Sequence, residues 1–168
     1  MAGESGAHGD ISMNLAGIIQ YQLRGTNCRG RIKDTKVKSG VIESRFGKGM
    51  ISYPDLLVIC GEPEYHDKHK DIVLNPTVVI KILSETTADL DRGVKFMRYR
   101  NFNETLIDYI LISQDEPHIE HYIRQENDDW LFKEYYGVDT GFRSDSINCR
   151  LSLAEIYDRI QFAEHESS

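Results

Sequence analysis

Asp55, Lys81, Asp91 and Lys95 could do chemistry together. Asp55 follows Tyr53-Pro54 and leads into an apolar run. Lys81 stands alone in the middle of a second apolar run, residues 77–83. Asp91 and Lys95 lie four residues apart in a segment with helical spacing. Two buried strands meeting around an acid, with a lysine arriving from a nearby helix, is the layout of a metal-dependent phosphodiester nuclease. One part is out of place. Where a second carboxylate would complete such a site, the second strand offers Lys81.

The elements that must position these groups can be read from local pattern. Pro54 removes a ladder donor, so the strand after it opens at a rim or edge, where Asp55 can meet a ligand. On the second strand Val79, Lys81 and Leu83 share one face and Val78, Ile80 and Ile82 the other. A lysine so flanked either snorkels to an edge or is held by a carboxylate. Asp91 can pair with Lys95 across one helical turn, either positioning the lysine or forming a plain surface ion pair. Glu85 has the strand parity of Lys81, but four residues of strand carry it roughly 13 Å away, too far to replace a carboxylate at position 81.

The rest of the chain frames this region. Residues 8–25 form a helix with Ile11, Leu15, Ile18, Ile19 and Leu23 on one face and Gly25 as its stop. Residues 28–38 alternate as one or two strands with a break near Asp34, and 39–50 form a loop or hairpin tip. The run 56–60 is a strand covered on both faces, followed by the polar, turn-rich stretch 61–76. Thr87 or Asp89 caps a helix that runs to about Asn101, with Leu90, Val94 and Met97 facing inward. Strands follow at 106–113, 119–124 and 130–136, then a short amphipathic helix at 153–160. The expected class is α/β, or α+β with a mixed sheet flanked by helices. Residues 1–160 form a single domain and 161–168 a frayed tail.

Bulk properties set limits. The chain has 168 residues, 40% hydrophobic and 28% charged, with a formal net charge of −7. That is one ordinary globular domain without a signal peptide or an apolar run long enough to cross a bilayer. A cytoplasmic location follows as the expectation, with Cys28, Cys60 and Cys149 as reduced thiols that serve packing. The acidic total does not advertise nucleic-acid binding. Its distribution does more: Arg24, Arg29, Arg31, Lys33, Lys36 and Lys38 stand against the single acid Asp34. Such a stripe can follow a phosphate backbone, or simply guard a strand edge. His66, Asp67, His69 and Asp71 have no helix or knuckle to fix them and read as a solvated loop. Trp130, Tyr135 and Tyr136 read as core or sheet-surface aromatics.

In order and spacing the motifs resemble a restriction endonuclease family abundant in cyanobacteria, within the PD-(D/E)xK nuclease superfamily. They are Tyr53-Pro54-Asp55-Leu56-Leu57-Val58-Ile59-Cys60-Gly61, Asn75-Pro76-Thr77-Val78-Val79-Ile80, Leu83-Ser84 with Thr87, and Asp91-Arg92-Gly93-Val94-Lys95-Phe96 with Tyr99. Met1-Ala2-Gly3 with His8, Ser113-Gln114-Asp115 and Leu153-Ala154-Glu155-Ile156-Tyr157 extend the likeness over nearly the whole chain.

The resemblance implies a restriction-endonuclease-like core in which Asp55 is the metal-binding aspartate and Lys95 the helix lysine. Leu83 stands where the superfamily's usual lysine would be, and Lys81 occupies the glutamate position without matching it. Family members also carry an acidic stretch upstream of the first helix, short of which this chain begins. An intact site would hold magnesium on Asp55 and a second carboxylate, with Lys95 orienting the attacking water. The implied catalytic positions are therefore Asp55, Lys81 and Lys95, and the implied metal ligand is Asp55. The expected cofactor is Mg2+, bound weakly because of Lys81. DNA is the expected partner and a homodimer the implied assembly, with no membrane and no small-molecule cofactor. The expected function is a metal-dependent DNA endonuclease impaired at position 81. The alternative is a catalytically inactive relative that binds DNA or a partner subunit.

Overall fold

The computed structural model describes residues 5–40 and 49–164. Most of the loop expected at 39–50, and the last four residues of the expected tail, lie outside them. The first element is helix α1 (Gly6–Leu23), capped by the Ser5 hydroxyl, which accepts from the His8 amide. Ile11, Leu15, Ile19 and Leu23 are buried along one face, as the helical spacing requires.

A six-stranded sheet forms the middle layer. Its strands are β1 (Cys28–Ile32), β4 (Leu56–Cys60), β6 (Val78–Ile82), β7 (Asp108–Ile112), β8 (His118–Arg124) and β9 (Trp130–Tyr136), in the spatial order β1-β4-β6-β7-β8-β9. All neighbours are antiparallel except β6 and β7, which run parallel. A parallel pair needs a crossover. Here it is α2 (Ala88–Leu90), a π turn (Asp91–Lys95) and α3 (Phe96–Phe102). The strands expected at 56–60 and 77–83 are therefore adjacent at the centre.

The sheet is covered on both sides, which explains the near-continuous apolar runs of β4 and β6. On one face Leu56, Val58, Val78, Ile80 and Ile82 pack with α1, and with the hairpin β10 (Gly141–Ser144) and β11 (Cys149–Ser152) and helix α4 (Leu153–Ile156). On the other, Leu57, Ile59, Val79, Leu83, Tyr109 and Leu111 pack with Phe96, Tyr99 and Leu106. A three-stranded sheet, β3 (Met50–Ser52), β2 (Lys36–Ser39) and β5 (Ile72–Val73), flanks it. The break near Asp34 is a turn in which Lys33 and Asp34 both take left-handed backbone, φ 30° and 55°.

Three expectations need correction. Leu90, Val94 and Met97 do not face inward: they are 52%, 45% and 46% exposed. The buried face carries Asp91, Phe96 and Tyr99, because both aromatics pack on Tyr109, Phe96 stacked at 5.3 Å and Tyr99 tilted at 5.4 Å. An aspartate at the centre of the inner face defeats a count of apolar residues. Second, Cys28 and Cys60 are not separate thiols. The register of β1 and β4 sets them opposite one another, and a disulfide joins them, while Cys149 is free and buried. Third, the hairpin β10–β11 was not anticipated. Its four-residue strands alternate Phe142 and Ser144, or Cys149 and Leu151, with exposed arginines, too short a pattern to stand out. Among the described residues no helix is long and apolar enough to cross a membrane.

Candidate active site

The register Leu56↔Ile80, carried one residue further, sets Asp55 opposite Lys81 at the rim of the central strand pair. The Asp55 amide donates to the Ile80 carbonyl at 3.1 Å, which holds the strand end in place. Both side chains have the parity of the sheet face that the crossover covers. Lys81 Nζ lies 3.5 Å from Asp55 Oδ2 and 3.5 Å from the Tyr53 carbonyl.

Asp55 has two further partners. The Ile82 amide donates to Oδ2 at 2.7 Å, and His8 Nε2 lies 2.8 Å from Oδ1. His8 reaches Asp55 from the first turns of α1, whose start is tied to the end of β6. Ser5 Oγ donates to Gln114 Oε1 at 2.7 Å, and Gln114 Nε2 donates to the Leu83 carbonyl at 2.7 Å. In the sequence His8 stands out only as part of a motif and not as a site residue. Three strands and a helix separate it from Asp55 along the chain, so no spacing rule could connect them.

Burial works to raise the Asp55 carboxyl, but the His8 hydrogen bond, the Lys81 charge and the Ile82 amide outweigh it. The carboxyl is held below the ordinary aspartate value. The sign of the linkage follows. A depressed folded value stabilises the fold above the unfolded value, near about pH 4. That stabilisation is lost as the pH falls through the lower folded value. His8→Ala should therefore move the Asp55 midpoint upward, which a carbon-13 carboxyl titration by NMR will read. An unchanged midpoint would remove His8 from this account.

Asp55, Lys81 and His8 line an open cleft of about 780 Å³, together with Lys33, Asp34, Glu85 and Asp115. Four carboxylates face two lysines there, so the cleft is acidic apart from His8. Lys95 is not part of its lining. It lies behind Lys81, bordering a chamber of about 10 Å³ with Asp91, Tyr99 and Tyr109. Its ammonium donates to Asp91 Oδ1 at 2.7 Å. The Tyr109 hydroxyl donates to the Asp91 carbonyl at 2.7 Å, Tyr99 bonds Ser52, and burial pushes both tyrosines up. Asp91 is fully buried, and its Oδ2 has no hydrogen-bond partner among the described residues. The structure thus brings Asp55 and Lys81 together and assigns Lys95 to Asp91.

A divalent ion does not fit this arrangement. Magnesium takes carboxylate oxygens and keeps several waters. Both Asp55 oxygens are engaged, and an ammonium stands beside Oδ2. Asp91, which borders the chamber behind Lys81, is enclosed and paired with Lys95. Glu85 borders the same cleft but lies beyond the end of β6. Elsewhere, Lys36 pairs with Asp71 at 2.9 Å, Lys38 lies 3.2 Å from His66 and Arg31 donates to Tyr65 at 2.8 Å. Part of the basic stripe is therefore matched within the fold, and Arg29 is exposed.

Similarity to known proteins bears on the family and the fold. The "Uncharacterized protein sll1609" of Synechocystis sp. is 30% identical over 137 residues, covering 82% of this chain and 73% of the relative. The "Uncharacterized protein slr1290" of the same organism is 28% identical over 162 residues, covering 96% and 80%. A crystal structure described as a "putative nuclease belonging to DUF820" from Anabaena variabilis superposes with a TM-score of 0.73 at 14% identity, over 95% of this chain and 85% of that one. At that identity the likeness speaks for the fold, which is nuclease-like. The Uma2 family, described as "Putative restriction endonuclease", matches residues 1–154, and the chain belongs to that family.

Proposed function

We propose that this chain is a DNA-binding member of the restriction endonuclease-like family in which metal-dependent cleavage is lost or nearly so. The observation that carries the proposal is the Lys81 ammonium, 3.5 Å from the Asp55 carboxylate where a second metal-binding acid would complete the site. It supplies positive charge at that point and offers no ligand oxygen. Breaking a half-buried ion pair to admit a hydrated magnesium ion has an electrostatic cost that one aspartate does not offset. Without a metal, a phosphate entering the cleft meets more carboxylates than cations. DNA is therefore held outside it, along the edge strand β1, where Arg29 is exposed.

A plasmid-nicking assay with magnesium or manganese tests the cleavage part, and rapid nicking by the unaltered chain would overturn it. The binding part has its own test. Removing Arg29, Arg31 and Lys33 together should weaken binding to all sequences alike. It should also lower the slope of log affinity against log salt by roughly two to three. Unchanged binding in that variant would exclude the β1 edge as the contact.

A second reading rests on Asp91. Its buried Oδ2 has no partner among the described residues, so a shift of the crossover that opened the chamber would offer a second carboxylate near Lys81. The chain would then be a weakly active magnesium-dependent endonuclease. Residual nicking by the unaltered chain that Asp91→Asn abolishes would favour this reading.

A further inference from the structure

Cys28 and Cys60 end their strands at the same edge of the central sheet. They face each other across the β1–β4 ladder, are joined by a disulfide, and are only half-buried. Beside them the Gly61 amide donates to the Asn27 carbonyl at 3.0 Å, which closes the ladder. Among the described residues strand β1 has no neighbour on its other side in the central sheet, so β4 supplies its ladder there. The third cysteine is different. Cys149 is fully enclosed, and burial pushes its thiol up. Within one chain there are thus two paired sulfurs on half-buried residues at the end of a ladder and one enclosed thiol.

We propose that Cys28 and Cys60 form a reversible thiol–disulfide exchange site. Its reactants are low-molecular-weight thiols and disulfides, and its state sets how firmly the basic edge strand is held. In the oxidising direction one cysteine thiolate attacks a sulfur of the small disulfide. A mixed disulfide forms and one small thiolate leaves. The second cysteine thiolate attacks the protein sulfur of that mixed disulfide, closing Cys28–Cys60 and releasing the second small thiol. Two protein thiols lose two protons and two electrons, and one small disulfide becomes two thiols. Reduction reverses each step. The ladder from Cys28↔Cys60 to Ile32↔Leu56 remains in the reduced state, so the fold persists. The covalent tie at its open end is lost, and that end of β1 frays more readily. Because β1 carries Arg29 and Arg31, reduction also weakens DNA contact. This last consequence rests on the proposed function.

The test uses the full chain equilibrated in glutathione buffers of graded ratio, then alkylated without denaturant and weighed by mass spectrometry. Two modified cysteines should appear together on reduction, with Cys149 modified only after unfolding. Hydrogen exchange at residues 28–30 should be about tenfold faster in the reduced protein. The Cys28→Ser, Cys60→Ser double variant should exchange at that faster rate in every buffer. Cysteines that stay reduced in the most oxidising buffer would overturn the site. Equal exchange rates in both states would overturn its control of the strand. DNA binding that is absent in both states would instead count against the proposed function, since the thiol and exchange readings do not depend on DNA.

Discussion

Lys81→Glu is expected to create a divalent-ion site in this chain and, with it, DNA cleavage. The substitution removes the ammonium that stands 3.5 Å from Asp55 Oδ2 and sets a carboxylate in its place. The local charge changes by about two units. Two adjacent carboxylates then repel one another unless a cation joins them, which favours metal uptake. A bound metal contributes several kcal/mol to the transition state of phosphodiester hydrolysis. At roughly 1.4 kcal/mol per tenfold, nicking should rise by about a hundredfold or more.

Titration calorimetry with magnesium, followed by plasmid nicking, separates the steps. Lys81→Met is the control: it removes the charge without adding a ligand, so binding should stay weak and cleavage low. A Lys81→Glu protein that binds no magnesium would refute the assignment of Lys81 to the metal position. One that binds but does not cut would move the defect to Lys95, which the structure commits to Asp91. The substitution adds charge to an already acidic cleft, so its stability should be measured with and without magnesium.

The pairing of Asp55 with Lys81 could be approached from sequence because both lie on strands with clear alternation and a fixed parity. The same holds for the central adjacency of β4 and β6 and for the Asp91–Lys95 pair, which is a matter of helical spacing. His8 was not accessible in that way, since its contact with Asp55 depends on how α1 packs across the sheet end. The inner face of the crossover is hidden for a different reason. Leu90, Val94 and Met97 make a better apolar stripe than the one used, and only the aromatic partners on β7 and β8 decide the matter. The Cys28–Cys60 pairing required the register of β1 against β4, which no local pattern carries. In each case the missing information was tertiary, a partner far away in the chain.

The buried pair Asp108–His121 is expected to be the most sensitive point of the fold outside the site. Asp108 begins β7 and His121 lies on β8, with Nε2 2.6 Å from Asp108 Oδ1 and both side chains almost wholly enclosed. The other Asp108 oxygen accepts from Ser144 at 3.1 Å and from Ser146. Ser, His and Asp are all present, yet the aspartate is the hub: Ser144 and Ser146 bond Asp108, and the hydroxyl beside the imidazole is the Tyr135 phenol, 3.4 Å from Nδ1. The cluster is structural: it fastens the β10–β11 hairpin to the sheet. Asp108→Ala leaves the imidazole and two hydroxyls without their acceptor in a closed environment. The expected loss is about 3–5 kcal/mol, or on the order of 10 °C in Tm. His121→Leu should cost nearly as much, and the double variant scarcely more than either alone, because all three remove the same interaction. Asp145→Asn, which disturbs only the exposed Arg143 pair, should leave the Tm unchanged. Additive losses in the double variant would show that Asp108 and His121 act separately, with the hairpin held by its apolar contacts through Phe142 and Leu151 instead.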